Sequence, residues 1–206
     1  MSSGRGRVYP GMATVEADIS MSVDGYVTGP DLDTHPGYGR GGERLHAWLG
    51  HDEGRRLSAA TFAASGAVVT GRRVYDDTDG WASENGFFGM PVFVVTHRPH
   101  EPVTRGGTTF TFVTGGVRAA IGAAVTAAGG RNVHIMGGAS VIRQALRAGL
   151  VNRLRLHVVP LLLGSGTALF DTALFDGEPG PALEIEEAVG TPEATHLSYR
   201  CDWLAP

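Results

Sequence analysis

The chain has 206 residues and a mass of 21.6 kDa, which suits one large domain better than two. Its hydrophobic content of 42% predicts a sizeable core, and its formal charge of −4 disfavours general nucleic-acid binding. All 17 basic residues are arginine. The absence of lysine excludes mechanisms that need an amine, such as P-loop phosphate binding and Schiff-base chemistry.

The first predicted elements are a polar N-terminal segment and a strand. Residues 1–12 are predicted as a flexible leader before a single domain over residues 13–206. The leader lacks the apolar run of a signal peptide, and no segment is typical of a membrane span, so we expect a cytoplasmic protein with no membrane partner. The alternating run from Thr14 to Val23 predicts a strand that ends at the turn Asp24-Gly25. Residues 28–44 hold five glycines and two prolines and predict a long exposed loop.

Apolar strands and helices alternate after this loop. Helices are predicted over residues 51–64, from residue 71, and over 117–128 and 139–148; strands are predicted over 67–70, 92–96, 108–113, 132–136 and 153–159. Residues 183–189 and 195–203 predict a closing antiparallel hairpin. This order predicts an α/β fold, a three-layer sandwich with a mixed, mostly parallel central sheet and a C-terminal antiparallel hairpin.

Three predicted strand ends carry residues suited to phosphate groups. They are Thr70-Gly71-Arg72-Arg73, Thr96-His97-Arg98 and Gly137-Gly138-Ala139-Ser140. Glycine lets the backbone approach a ligand, and guanidinium groups fork onto phosphate oxygens. Since ligands bind at the carboxyl ends of parallel strands, these ends outline a site for a ligand with two phosphate groups. The dinucleotide fingerprint GxGxxG is absent, and arginines in place of a ribose-binding acid favour NADP over NAD.

Several segments together resemble a known family. They are Ser20-Met21-Ser22-Val23-Asp24-Gly25, Gly71-Arg72-Arg73-Val74-Tyr75, Val94-Val95-Thr96-His97-Arg98-Pro99, Ile135 to Val141, and the run from Leu156 to Gly166. In order and spacing they resemble the dihydrofolate reductase superfamily, in the branch of the C-terminal reductase domain of the riboflavin-biosynthesis deaminase-reductase. The resemblance extends from about Met12 to Leu204.

The resemblance implies an NADPH site. It assigns the adenosine 2′-phosphate and adenine side to Gly71, Arg72, Thr96, His97 and Arg98, with Gly115 flanking the adenine. It assigns the diphosphate to Gly137, Gly138, Ala139, Ser140 and Val141. Ser20, Asp24, Gly25 and Tyr26 would border the nicotinamide ribose. For Asp24, a turn residue that caps its own backbone is the alternative.

The substrate side is less defined. The helix comparable to the one that carries the acid of folate reductases offers Asp52 and Glu53 near its start, where carboxylates also stabilise a helix N-terminus. Trp48 could stack on a planar substrate ring or anchor its segment in the core. No catalytic residue is identified, and no metal site is expected, because a thiolate site is impossible with one cysteine and no HExxH motif is present.

Three functions remain open. The first is an NADPH-dependent reductase of a small heterocycle, pterin or pyrimidine-like, or of another C=N or C=O compound. The second is a catalytically inactive NADP-binding protein that acts as a sensor or partner-binding subunit. The third is a reductase that uses a flavin or deazaflavin. Because the strand over residues 153–159 and the C-terminal hairpin read as an alternating edge, we also expect a homodimer.

Overall fold

A nine-stranded sheet organises the chain in the computed structural model, which describes residues 13–171 and 174–203. The strands are β1 (Val15–Ser22), β2 (Tyr26–Thr28), β3 (Ser65–Gly71), β4 (Val92–Val95), β5 (Val103–Arg105), β6 (Thr108–Val113), β7 (Asn132–Met136), β8 (Arg153–Val159), β9 (Thr167–Ala168), β10 (Ala182–Gly190) and β11 (Thr195–Asp202). The helices are α1 (Asp52–Ala64), α2 (Arg72–Asp77), α3 (Gly116–Ala128) and α4 (Ala139–Arg147), with 3-10 segments at Gly42–Gly50 and Asp79–Glu84.

The sheet has the strand order β10-β11-β8-β1-β7-β3-β4-β6-β5. Neighbouring strands from β8 to β6 run parallel, whereas the pairs β8–β11, β10–β11 and β5–β6 are antiparallel. This arrangement confirms the predicted fold class, with its mostly parallel sheet and C-terminal hairpin. The predicted leader, residues 1–12, lies outside the described residues.

One face of the sheet carries the main apolar core. In α3 the buried residues recur at helical spacing, Val117, Ala120, Ile121, Ala124 and Ala128, and they pack on the sheet. Their small size lets the helix approach strand β3, whose residues 65–70 are all buried. The continuous burial of β3 is typical of a central parallel strand covered on both faces.

The opposite face is polar near β1. Val15 and Ala17 point into the main core, so the alternation of a strand sends Glu16 and Ser20 to the other face, where they are 2% and 5% exposed. Buried polar groups need partners, because an unpaired one costs about 1–3 kcal/mol. Beside β1 this face therefore holds a hydrogen-bonded network, whereas further along the sheet it carries a second apolar cluster, which includes Val68, Val92, Val94 and Phe110.

The structure differs from the sequence predictions at several connections. The short strands β2, β5 and β9 were not predicted, and β2 pairs with β9 in a separate two-stranded sheet. The end of the predicted exposed loop is a 3-10 helix, because Leu45 and Trp48 are buried. Strand β8 is not an edge, since β1 and β11 flank it; the edge of the hairpin is β10. Among the described residues, no helix is both long and apolar enough to span a bilayer.

Candidate functional site

The predicted phosphate-binding residues lie at adjacent strand ends. In the order β7-β3-β4-β6 the parallel strands place their carboxyl ends side by side. Thr70, at the end of β3, is fully buried, and its Oγ1 donates a hydrogen bond to the main-chain oxygen of Met136 over 3.1 Å. This bond ties the end of β3 to the point where β7 leads into Gly137.

The glycine cradle, formed by Gly71, Gly137, Gly138 and Val141, lies at these ends. The Gly137-Gly138 peptide is cis, and Gly137 has φ of +62°, a conformation that favours glycine. The amide of Val141 donates to the carbonyl of Gly138 over 3.0 Å and starts α4. Gly71 has an ordinary φ of −92°, so its small size matters here instead: a Cβ would lie 3.2 Å from Val141 Cγ2. A Cβ at Gly137 would meet nothing within 4 Å, so the cradle leaves the main chain open to a ligand there.

An arginine pair, Arg72 and Arg98, lies beside the cradle and shares one carboxylate. Arg72 Nε donates to Asp76 Oδ1 over 2.7 Å, and Arg98 Nη2 donates to Asp76 Oδ2 over 2.9 Å. The Arg72 guanidinium also stacks over Phe112, 5.3 Å from the ring centre, and its side chain is 22% exposed. Two positive charges against one negative charge leave this corner net positive.

The other residues predicted on the adenosine side, and two predicted near the diphosphate, line the same edge. The hydroxyl of buried Thr96 accepts a hydrogen bond from the amide of Arg98 over 3.0 Å, which shapes the turn after β4. His97 is exposed on this turn, and Gly115 is exposed after β6. Ser140, exposed on α4, accepts a hydrogen bond from Gln144, whereas Ala139 is buried.

The residues predicted near the nicotinamide form a turn that is fastened to a distant loop. The two carboxylate oxygens of Asp24 accept hydrogen bonds from the amides of Leu163 and Gly164, over 3.1 and 2.7 Å. A hydrogen bond from Ser22, together with these two from the main chain, holds the pKa of Asp24 below its usual range. Gly25 has φ of +89°, and Tyr26 pairs with Ala168 in the small sheet. Asp24 thus fastens its own turn to the loop that holds Leu163 and Gly164.

The two predicted substrate residues lie in different surroundings. Trp48 is 5% exposed, packs in a core cluster with Leu45, and donates through its indole N–H to Ser20 Oγ over 2.9 Å. One face of its ring stacks on His157, with ring centres 4.1 Å apart. Of the two predicted roles, this matches the core anchor. Asp52, whose side chain is 99% exposed, binds Arg55 on the first turn of α1.

Sequence reasoning missed three hydrogen-bonded side chains near Ser20, half-buried Asp18 and buried His157 and His196, which we call the Asp–His–His chain. His157 Nε2 lies 2.8 Å from Asp18 Oδ1, and His157 Nδ1 lies 2.6 Å from His196 Nδ1. Polar residues at every second position of the first strand were the available signal, because an interior strand buries both of its faces.

Charge on the surrounding side chains is nearly balanced. Glu16 meets two guanidinium groups, those of Arg153 at 3.2 Å and Arg155 at 3.1 Å. Burial raises the pKa of Asp18, but the charge and hydrogen bond of His157 outweigh it and hold that pKa below its usual range. Burial lowers the pKa values of His134 and His196. Glu16, Asp18 and His134 place possible ligand atoms within 4.8 Å of one another, but the two arginines already neutralise Glu16.

Comparison with protein families gives one strong match. A family model described as the RibD C-terminal domain matches residues 13–197. A comparison with curated protein sequences gives no match.

Solved structures share the fold at low sequence identity. A protein ascribed to riboflavin biosynthesis from Shewanella sp. PV-4 is 23% identical, with a TM-score of 0.71 over 93% of this chain and 99% of that one. A diaminohydroxyphosphoribosylaminopyrimidine deaminase/5-amino-6-(5-phosphoribosylamino)uracil reductase from Thermotoga maritima is 12% identical, with a TM-score of 0.63 over 92% of this chain and 57% of that one. Dihydrofolate reductase from Enterococcus faecalis, solved with NADP(H), is 13% identical, with a TM-score of 0.58 over 91% of this chain and 96% of that one.

Proposed function

Because the chain belongs to the RibD C-terminal domain family, as its sequence predicts, and is an oxidoreductase by that membership, we propose that it is an NADPH-dependent reductase. Its substrate would be a small heterocycle, pterin or pyrimidine-like, or another compound with a reducible C=N or C=O bond. The observation that carries the proposal is the glycine cradle with the arginine pair beside it.

The residues present suit this cofactor. A Cβ at Gly137 would meet nothing within 4 Å, so a diphosphate could approach the main chain there, and Gly71 lets Val141 pack closely beside it. Arg72 and Arg98 offer charge-assisted donors for a 2′-phosphate, which NADH lacks. When bound, NADPH supplies the hydride, and the task of the protein is to align it with the substrate. The Enterococcus faecalis reductase, whose structure contains NADP(H), supports this choice of cofactor by its shared fold.

Titration of the purified protein with NADPH and NADH tests the cofactor. We expect NADPH to bind at least about tenfold more tightly, and Arg72→Ala to weaken NADPH by about 1.5–3 kcal/mol with little effect on NADH. Arg73→Ala is the matched control, because Arg73 faces Asp33 at 3.5 Å instead of Asp76. Equal affinity for both cofactors would refute the assignment of the arginine pair.

A substrate panel tests the reaction. We would incubate the NADPH-loaded protein with 5-amino-6-(5-phosphoribosylamino)uracil, the compound named for the Thermotoga maritima neighbour, and with dihydrofolate, and follow the loss of NADPH absorbance. Oxidation of NADPH by either compound supports the reductase. Tight NADPH binding without turnover of any panel compound favours the inactive NADP-binding protein, and a yellow purified protein favours a flavin enzyme.

Two further expectations belong to the same proposal. We propose a homodimer that pairs through the edge strand β10, all but one of whose residues are exposed, including Leu183 and Ile185. The cytoplasm is the proposed compartment, since the single cysteine, Cys201, is buried as a thiol and no internal disulfide is possible.

A further inference from the structure

We infer that Asp18 supplies the proton that the reduction requires, with His157 and His196 as positioning residues that refill it. The inference rests on the proposed function, because it names the proton donor of that reaction. Reduction of a C=N or C=O bond adds a hydride to carbon and a proton to the heteroatom. The carboxylates at the start of α1 do not fit this task well, because Asp52 is almost fully exposed and bound to Arg55.

The position of Asp18 is the first argument. In the register between β1 and β7, Asp18 lies directly opposite Met136, the residue before Gly137 of the glycine cradle. Neighbouring strands are about 4.8 Å apart, so Asp18 is one strand away from the cradle. Its side chain shares a sheet face with Ser20, two residues further along β1. Asp18 is therefore next to the predicted nicotinamide end of the site.

Hydrogen bonding is the second argument. Asp18 uses only Oδ1 to bind His157, and within the described residues its Oδ2 makes no hydrogen bond. The side chain of Asp18 is 14% exposed, against 7% for His157. Within the Asp–His–His chain, Asp18 Oδ2 is thus the atom that a substrate could reach, whereas His157 is covered by the ring of Trp48.

The outer end of the Asp–His–His chain opens towards solvent. A cleft between α1 and the C-terminal hairpin is lined by Leu57, Arg155, Glu187, Ser198 and both histidines. The two facing Nδ1 atoms, 2.6 Å apart, need one shared proton, because two lone pairs at that distance would repel. A proton taken up at His196 can therefore pass through His157 to Asp18 Oδ1.

The proton balance of the step is simple. As the hydride bonds to carbon, the electron pair of the C=N or C=O bond moves to the heteroatom, which takes a proton from Asp18. That proton comes from His157: it passes from Nε2 to Asp18 Oδ1, and rotation of the carboxyl group about its Cβ–Cγ bond turns it to the side of Oδ2, where the substrate would lie. His196 then recovers a proton from water in the cleft, and His157 is protonated again. Between turnovers the charge and hydrogen bond of His157 keep Asp18 ionised. The charged and titratable groups that face the chain are Glu16, His46, Glu53, His134, Arg155 and Glu187.

Single-turnover reduction of the panel compounds by the NADPH-loaded protein tests the inference. Asp18→Asn keeps the size of the side chain but cannot donate an acid proton, so we expect hydride transfer to slow by about 100-fold or more while NADPH affinity stays within about twofold. His196→Gln should shift the pH profile of the rate. His51→Gln is the control, because His51 is exposed and lies outside the Asp–His–His chain. This substitution should leave the rate and its pH profile unchanged.

Imidazole ¹⁵N NMR without cofactor or substrate gives a second readout. In the wild type we expect a coupling across the hydrogen bond between the two facing Nδ1 atoms, since one proton lies between them, and we expect Asp18→Asn to change the protonated nitrogen of His157. Full activity of Asp18→Asn with intact NADPH binding would overturn the assignment of Asp18 as proton donor but not the proposed reductase function. Failure of the wild-type protein to bind NADPH would overturn the reductase function itself. If Asp18→Asn does not fold, an unchanged pH profile in His196→Gln overturns the inference. If no panel compound is reduced, the absence of that coupling between His157 and His196 overturns the inference.

Discussion

Thr70 Oγ1 donates a hydrogen bond to the main-chain oxygen of Met136 over 3.1 Å and so joins the ends of β3 and β7 below the glycine cradle. The bond is buried on the Thr70 side, where the residue has no exposed surface. The two strands that carry Gly71 and Gly137 are therefore fixed relative to each other by a side chain as well as by the sheet.

We expect Thr70→Val to lower the free energy of unfolding by about 1–3 kcal/mol, because it removes a buried hydrogen bond without changing the shape of the side chain much. The same change should weaken NADPH binding, since the cradle loses its brace. Urea unfolding and NADPH titration measure the two effects. Thr126→Val is the control, because its hydroxyl bonds Gly122 on the exposed side of α3. Equal effects of both substitutions would contradict the bracing role.

We expect Gly71→Ala to weaken NADPH binding because the new methyl group would lie 3.2 Å from Val141 Cγ2 and intrude into the cradle. Overpacking of this kind costs about 1–3 kcal/mol. The double variant Gly71→Ala/Val141→Ala should recover part of the affinity by making room. Gly122→Ala serves as control, since nothing lies within 4 Å of a Cβ there. Normal NADPH binding by Gly71→Ala would show that the cradle does not need an open main chain.

His46 should make the protein less stable in mild acid. Burial, with a smaller contribution from the charge of His157, lowers the pKa of His46 from 6.5 to about 4. The unfolded chain therefore binds the proton first, and stability falls as pH drops from about 6.5 to about 4, by up to about 3 kcal/mol for this group. Below about pH 4, where His46 is protonated in the folded protein as well, the stability that neutral His46 contributes is fully lost.

The pH dependence of the free energy of unfolding, measured by urea at several pH values, tests this prediction. As the pH drops from about 6.5 to about 4, the free energy of unfolding of the wild type should fall relative to that of His46→Gln. His35→Gln, at an exposed position, should leave the pH dependence as it is. A His46→Gln curve parallel to that of the wild type would rule out the assignment.

Ile185→Lys should separate the proposed dimer. Ile185 is 65% exposed on the edge strand β10, so a charge there should disfavour pairing with a second copy. Light scattering should report about twice the chain mass of 21.6 kDa for the wild type and about one chain mass for the variant. Leu162→Lys, at a 72% exposed position in a loop, should remain dimeric. A monomeric wild type would end the dimer proposal.

The sequence predicts the parallel strands and helices because their apolar runs are buried on regular faces, as in β3 and α3. Glycine and arginine at strand ends likewise predict the cradle and Arg72, since both depend on short-range spacing. The Asp–His–His chain depends on contacts over 139 and 39 residues, so the alternation of polar residues in β1 marks Asp18 but does not identify its partners. Trp48 shows the same limit: its residue type fits stacking on a ligand, and only the tertiary structure places it against His157.

The fastening of Asp24 has a consequence for the order in which the domain folds. Its hydrogen bonds to Leu163 and Gly164 span 139 and 140 residues, and β2 finds its partner only in β9. Contacts of such high sequence separation form late, because the intervening chain must first be brought to order. A nascent chain that has already completed β1, β3 and β4 still lacks the partners of this turn. The edge of the site that holds Asp24 is thus assembled only after most of the domain has been synthesised.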